Sequence, residues 1–126
     1  MKSFITAMAI AVIIVGGGIV YNICIDEISA DFRERCEKIT EEIQNGNYQG
    51  AVGDARDLSE YMDKKKTLLA SIINHENIDD IEMCITELTE YAENNETAEA
   101  MVRCRKLEHL FKHLPANYSI KPQNIL

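Results

Sequence analysis

The sequence has no tryptophan, three phenylalanines and five tyrosines in 126 residues. Platforms that stack bases or sugars are built from aromatic rings, so no such surface is expected. Basic residues are also in the minority. The formal charge is -8, and a domain of that sign repels phosphate backbones, which removes nucleic acid from the expected partners. The four cysteines, Cys24, Cys36, Cys84 and Cys104, form no CxxC pair, so neither a zinc ribbon nor a thioredoxin-like site is implied. There is no HExxH, no GxSxG and no DxDxDG loop, so no metalloprotease, serine hydrolase or calcium-loop chemistry is encoded, and no cofactor is expected.

What is present is one long run without charge. Phe4 to Ile25 reads FITAMAIAVIIVGGGIVYNICI. As a helix it spans roughly 33 Å, against a hydrocarbon core of about 30 Å. Its Ile, Val and Phe residues contribute roughly -3 to -7 kcal/mol toward insertion in sum, less what Thr6, Asn22 and the glycines take back. Tyr21 and Asn22 suit an interface with water. A cleaved signal peptide is the competing reading, but the apolar residues continue past Gly16-Gly17-Gly18 and no A-x-A site follows. A lipid anchor on Cys24 would need a small residue before it, where Ile23 stands. Lys2 precedes the run, and Asp26, Glu27 and Asp31 follow it. By the positive-inside rule the N-terminus is cytoplasmic and the rest extracytoplasmic in a single-pass protein of the cell membrane. The lipid bilayer is thus the first expected partner. Ala7, Ala11 and Gly18 share roughly one face, a pattern that permits close helix approach but is also common in membrane helices.

Beyond the run, Ile25, Ile28, Phe32, Cys36, Ile39 and Ile43 recur at intervals of three and four, the mark of one buried helix face. The first helix is therefore expected to run unbroken to about Gln44, where Asn45-Gly46-Asn47 stops it. A second helix capped by Asn47 buries Tyr48, Ala51, Val52, Ala55, Leu58, Met62, Leu69, Ile72 and Ile73. A third, capped by Asn77, buries Ile78, Ile81, Ile85, Leu88 and Ala92, with Cys84 beside them, and ends at Asn94-Asn95. A fourth spans Thr97 to Leu114, burying Ala98, Met101, Val102, Leu110, Phe111 and Leu114, with Pro115 as its terminator. The fold class is all-α: an N-terminal transmembrane helix that continues into a small antiparallel helical bundle. The boundaries are an anchor at 1–25, a bundle at 26–114 and a tail at 115–126.

Alternating helix direction brings His75, Glu76, His109, His113 and the C-terminus to the end of the bundle nearest the lipid. His109 and His113 lie four apart on one face, and imidazoles so placed can share a metal ion. His75, His109 and His113 are the candidate metal or proton-sensing residues. Cations near a helix C-terminus are favoured by its dipole, which accounts for the two later histidines without any ligand. The cysteines read as small buried hydrophobes, with a Cys84–Cys104 disulfide the alternative. Lys64-Lys65-Lys66 reads as a solvated face or as a contact for anionic lipid or an acidic partner. Asn95-Glu96-Thr97 and Asn117-Tyr118-Ser119 are formal glycosylation sequons. No catalytic residue is expected, and the chain is not read as an enzyme.

Particular stretches carry a resemblance. They are the opening MKSF with its glycine-interrupted run and Tyr21-Asn22, Ile72-Ile73-Asn74-His75-Glu76, His113-Leu114-Pro115, and the ending Lys121-Pro122-Gln123-Asn124-Ile125-Leu126. In these the chain resembles a family of single-pass membrane proteins of clostridia-like Gram-positive bacteria, described as a domain of unknown function, number 4363. The resemblance implies a bacterial envelope location, makes the sequons irrelevant and brings no catalytic residues. Members are often encoded beside other membrane proteins, which implies a membrane complex. The expected role is that of an interaction protein binding or regulating a membrane or envelope protein, with a histidine-based metal or pH sensor as the alternative. The sequence leaves the oligomeric state open.

Overall fold

Four helices follow one another: α1 Lys2–Gln44, α2 Tyr48–Ala70, α3 His75–Glu93 and α4 Thr97–Tyr118. The structure, a computed structural model, describes residues 1–118, with side chains as far as Leu114. Each helix packs on the next and α4 closes against α1, so the bundle has α1 diagonal to α3 and α2 diagonal to α4. No strand occurs among the described residues.

No proline interrupts α1, which forms one helix of 43 residues in two unlike halves. From Ile25 onward it buries Ile28, Ser29, Phe32, Cys36, Ile39 and Ile43, the face that the three-and-four spacing requires. Before Ile25 its large apolar side chains are bare. Phe4 is 67% exposed and Ile13 72%. The bundle begins where the apolar run ends.

The two turns at the far end, away from that run, are closed in the same way. At the end of α1, Gly46 lies at φ +76°, Gly46 N–H donates to Ile43 O (3.1 Å) and Asn47 N–H to Glu42 O (2.8 Å). At the end of α3, Asn95 lies at φ +57°, Asn95 N–H donates to Ala92 O (3.2 Å) and Glu96 N–H to Tyr91 O (2.8 Å). Each pair satisfies helix-end carbonyls through one left-handed residue. Asn47 then caps α2 by accepting from Gly50 N–H. Glycine at 50 is needed for this: a Cβ there would strike the Asn47 side chain and lie 3.0 Å from Glu42 Oε1.

Three boundaries differ from expectation. Helix α2 ends at Ala70, so Ile72 and Ile73 lie in the turn after it and not on its face. The cap of α3 is Asn74, whose side chain accepts from Asn77 N–H, so α3 starts at His75 and Asn77 is already within it. Asn74 is extended at ψ 156°, the conformation a cap needs. Nor does α4 end at Pro115; it continues to Tyr118, and the rest of the expected tail lies outside the described residues. A proline in a helix deprives the carbonyl four residues earlier of its donor. That carbonyl belongs to Phe111, and the buried hydroxyl of Ser29 on α1 donates to it instead. The buried face of α4 also differs: it is Ala100, Cys104, Leu107, Phe111 and Leu114, while Ala98 and Val102 are exposed and Met101 and Leu110 half-buried.

Around the Ser29–Phe111 joint three helices lock together. The rings of Phe32 and Phe111 stack with centroids 3.9 Å apart, and Tyr61 of α2 meets Phe32 edge-on at 4.9 Å. Tyr61 donates to Asp31 Oδ2 (2.9 Å) under the Arg35 guanidinium, 4.3 Å above its ring. Burial, together with that bond to Asp31, pushes the Tyr61 hydroxyl up to about 12. Ion pairs clasp the remaining neighbours: Lys38–Asp54 between α1 and α2, Arg56–Glu93 and Lys66–Glu82 between α2 and α3, and Arg103–Glu87 between α3 and α4.

Ser29→Ala leaves the Phe111 carbonyl buried without a donor, a loss of about 1–3 kcal/mol. In a Pro115→Ala background the restored N–H takes over, and the same substitution then costs less than about 1 kcal/mol. Thermal unfolding of the four chains in detergent micelles measures both; equal costs in the two backgrounds would refute the pairing of Ser29 with the proline.

Candidate functional site

The feature with the least structural explanation is the first half of α1. The helix is long and apolar enough to cross a membrane, and none of its most apolar stretch is buried. A core helix of a soluble protein would be mostly buried. Gly16 and Gly17 have open space where a Cβ would stand, so no neighbour within the chain requires them.

The end of the bundle beside this segment holds the histidines, as the alternation of helix direction requires. Asn77, Asp80 and Ile81 of α3 face His109, Leu110, His113 and Leu114 of α4 across a groove of about 480 Å³, with Ile73 closing it. The rings of His109 and His113 meet edge-on, centroids 4.4 Å apart. His75 does not join them. It lies seven residues before Glu82 and so on the same side of α3, and Glu82 pairs with Lys66 of α2. The groove with α4 opens on the other side. Among the described residues no group of three or more His, Cys, Asp or Glu could hold a metal ion. The three-histidine cluster of His75, His109 and His113 is therefore not assembled, and only the His109–His113 pair is in contact.

All four cysteines are free; Cys36, Cys84 and Cys104 are buried and Cys24 is half-buried. The Cys84 thiol donates to the Arg103 carbonyl at 3.5 Å. Burial pushes all three buried thiols up, Cys104 to about 11, so they stay protonated near neutral pH and are poor nucleophiles. They behave as the small core residues they were expected to be.

Residues 19–125 match the family described as Domain of unknown function (DUF4363). The chain belongs to that family. In this DUF4363 chain the match begins inside the apolar run, at Ile19, and takes in Tyr21-Asn22, the Asn74-His75-Glu76 turn and the end of α4. The MKSF opening falls outside it. No curated protein and no solved structure matches the chain at a significant level.

One group of titratable residues was not anticipated. At the far end of the bundle, Glu42 of α1 meets Asp54 of α2, with Lys38 Nζ 3.4 Å from Asp54 Oδ1. Glu42 Oε2 and Asp54 Oδ2 are buried and accept from no donor among the described residues. A proton on Glu42 lets it donate to Asp54 and removes a like-charge clash. Burial and that shared hydrogen bond push Glu42 up to about 7. The signal in the sequence was weak, because Glu42 lies among other acidic residues of a helix end.

The sign of the consequence is fixed. A folded-state pKa above the ordinary carboxylate value means the folded chain holds a proton that the unfolded chain releases between about pH 4.5 and 7. The stabilisation is complete below about pH 4.5 and is lost as pH rises through about 7. After allowance for solvent screening it amounts to about 1–2 kcal/mol. Glu42→Gln keeps the donor at all pH values, so its unfolding temperature is expected to fall less steeply over this window than the parent's; burial raises Glu108 as well and leaves a residual fall of the same sign. A parent curve that rises with pH there would contradict the shared proton.

Proposed function

We propose that this DUF4363 chain is a membrane-tethered helical interaction protein, which presents its bundle at a fixed height and orientation above the bilayer to another membrane or envelope protein. The observation that carries the reading is the continuity of α1: its bare apolar half and its core-building half are one helix. A flexible linker would leave the bundle free to turn; an unbroken helix holds it against the lipid surface. Lys2 before the segment and Asp26, Glu27 and Asp31 after it favour a cytoplasmic N-terminus and an extracytoplasmic bundle in a bacterial cell membrane. The protonated, buried thiols and the small number of convergent polar groups favour binding over catalysis.

A second reading is favoured by the His109–His113 contact at the rim of the groove. In it the lipid-proximal end responds to metal or protons. Calorimetric titration of the detergent-solubilised chain with zinc separates the two, since heat that disappears in the His109→Ala, His113→Ala double variant belongs only to the second.

The leading reading is checked in native membranes. The chain is expected to stay with the membrane pellet through an alkaline carbonate wash and to leave it in detergent. Protease added outside intact spheroplasts is expected to digest the bundle and spare the N-terminus. Crosslinking in the same membranes is expected to give one reproducible protein adduct. Release by carbonate alone would end the membrane reading; retention without any adduct would end the proposed role.

A further inference from the structure

The outward face of α4 differs in sign from the rest of the molecule. Ala100, Cys104, Leu107 and Phe111 turn toward the core, and at 100° per residue the opposite side carries Arg105, Lys106, His109, Lys112 and His113. All five are exposed and no acidic residue lies among them. Glu108, the one carboxylate of this stretch, is half-buried near Glu37 of α1, Arg105 and Arg33 of α1. The basic residues of the interhelical ion pairs are Lys38, Arg56, Lys66 and Arg103. Among the described residues, Arg105, Lys106 and Lys112 are in none within 4.0 Å. The neighbouring α3 exposes Glu76, Asp79, Asp80, Glu90 and Glu93. A chain of charge -8 thus keeps an exposed cationic strip on α4, in addition to Lys64-Lys65-Lys66 on α2.

The height of this strip is set by the Ser29–Phe111 hydrogen bond. Ser29 is one helical turn past Ile25, where the apolar run ends, so Phe111 and Lys112 stand roughly 6 Å beyond that point and Arg105 about 9 Å further. The headgroup layer occupies about 5–7 Å on each side of the hydrocarbon. The lower end of the strip therefore meets its edge. The upper end is within reach of its field, since the Debye length is about 8–10 Å at ordinary ionic strength and long basic side chains shorten the gap.

We propose that the outward face of α4, through Arg105, Lys106 and Lys112, docks on the anionic headgroups of the bilayer that α1 crosses. The proposal rests on the membrane reading and adds a direction to it. Transmembrane helices tilt by about 20° on average. Because α4 packs directly on α1, a tilt toward α4 lowers the strip onto the surface and lifts α2, which is diagonal to it. The acidic first turn of α3 is repelled by the same surface, and so are Asp26, Glu27 and Asp31 on α1, while on α2 Lys66 is paired with Glu82 and Lys64 lies beside Asp57 and Glu60, which weights the attraction toward the side of α4. Anionic lipid thereby selects one tilt direction for the whole bundle.

The test uses the full chain in lipid nanodiscs carrying a gadolinium-chelating headgroup, with either phosphatidylcholine alone or phosphatidylcholine mixed with phosphatidylglycerol. Paramagnetic broadening is read on the amides of Lys106, His109 and Lys112, against those of Arg56 and Glu60 on α2. In the anionic discs the α4 amides are expected to broaden several-fold more than those of α2. The excess should fall to parity in phosphatidylcholine or in molar salt, where the Debye length is about 3 Å. Each of Arg105→Gln, Lys106→Gln and Lys112→Gln should lower the docked-to-undocked ratio by roughly five-fold. Equal broadening of α4 in the two lipids overturns the docking, and the contrast of lipid and salt on the parent chain decides this even if a variant misfolds. A chain that enters neither disc overturns the membrane reading along with it.

Discussion

A single ladder of main-chain hydrogen bonds, unbroken from Lys2 to Gln44, joins a largely bare segment to one that forms a wall of the core. The rest of the structure depends on it. Apart from its last turn, where Tyr21 packs on the core and Cys24 is half-buried, the apolar half buries little against the chain, and its backbone polar groups are satisfied because they pair within the helix, the condition that hydrocarbon imposes on any spanning segment. The other half faces the opposite demand. Its three-and-four pattern would be a liability if exposed, and three more helices cover it. The change of environment falls between Ile23, half exposed at 52%, and Ile25, at 1%.

The Ser29–Phe111 joint follows from that junction. It lies one turn inside the bundle, where the helix that leaves the apolar run meets the last helix to return toward it. Pro115 creates a need for a donor in α4 and α1 supplies one, so the register between first and last helices is fixed by a bond that a shifted packing could not make. The Phe32–Phe111 stack beside it is apolar and tolerates small slips; the hydroxyl does not. Polar specificity and apolar adhesion thus act on the same pair of helices.

Much of this was legible in the sequence. The apolar part of the inner face of α1 was predicted, because Ile25 to Ile43 keep a strict helical spacing with charged residues between them; buried Ser29 was not. Gly46-Asn47 and Asn94-Asn95 announced the far turns through residues that tolerate positive φ or cap well. The misreadings have physical causes. In α4 the size of Met101 and Val102 outweighed the true face, which Ala100, Cys104 and Leu107 carry with smaller or isolated side chains. At α3 two asparagines three apart could each serve as cap, and only the tertiary fold shows that Asn74 accepts while Asn77 donates. Pro115 signals a helix end by local rules, and a serine 86 positions earlier in the sequence overrides it. Of the histidines, the pair four apart needed only helical geometry to be found. His75 was grouped with it by topology alone, and topology assigns an end of the bundle but not a side. The Glu42–Asp54 pair left almost no local trace, since proximity between helices decides it.

On the proposed membrane reading, the unbroken α1 also makes the protein a lever. Gln44 stands roughly 30 Å beyond Ile25, so a swing of about 20° about the point of emergence carries the far turns sideways by about 10 Å. A lipid-crossing helix adjusts its inclination when the surrounding leaflets thin or thicken. The Gly46 and Asn95 corners would then report bilayer thickness as lateral displacement, amplified by the length of the bundle, with no rearrangement inside it.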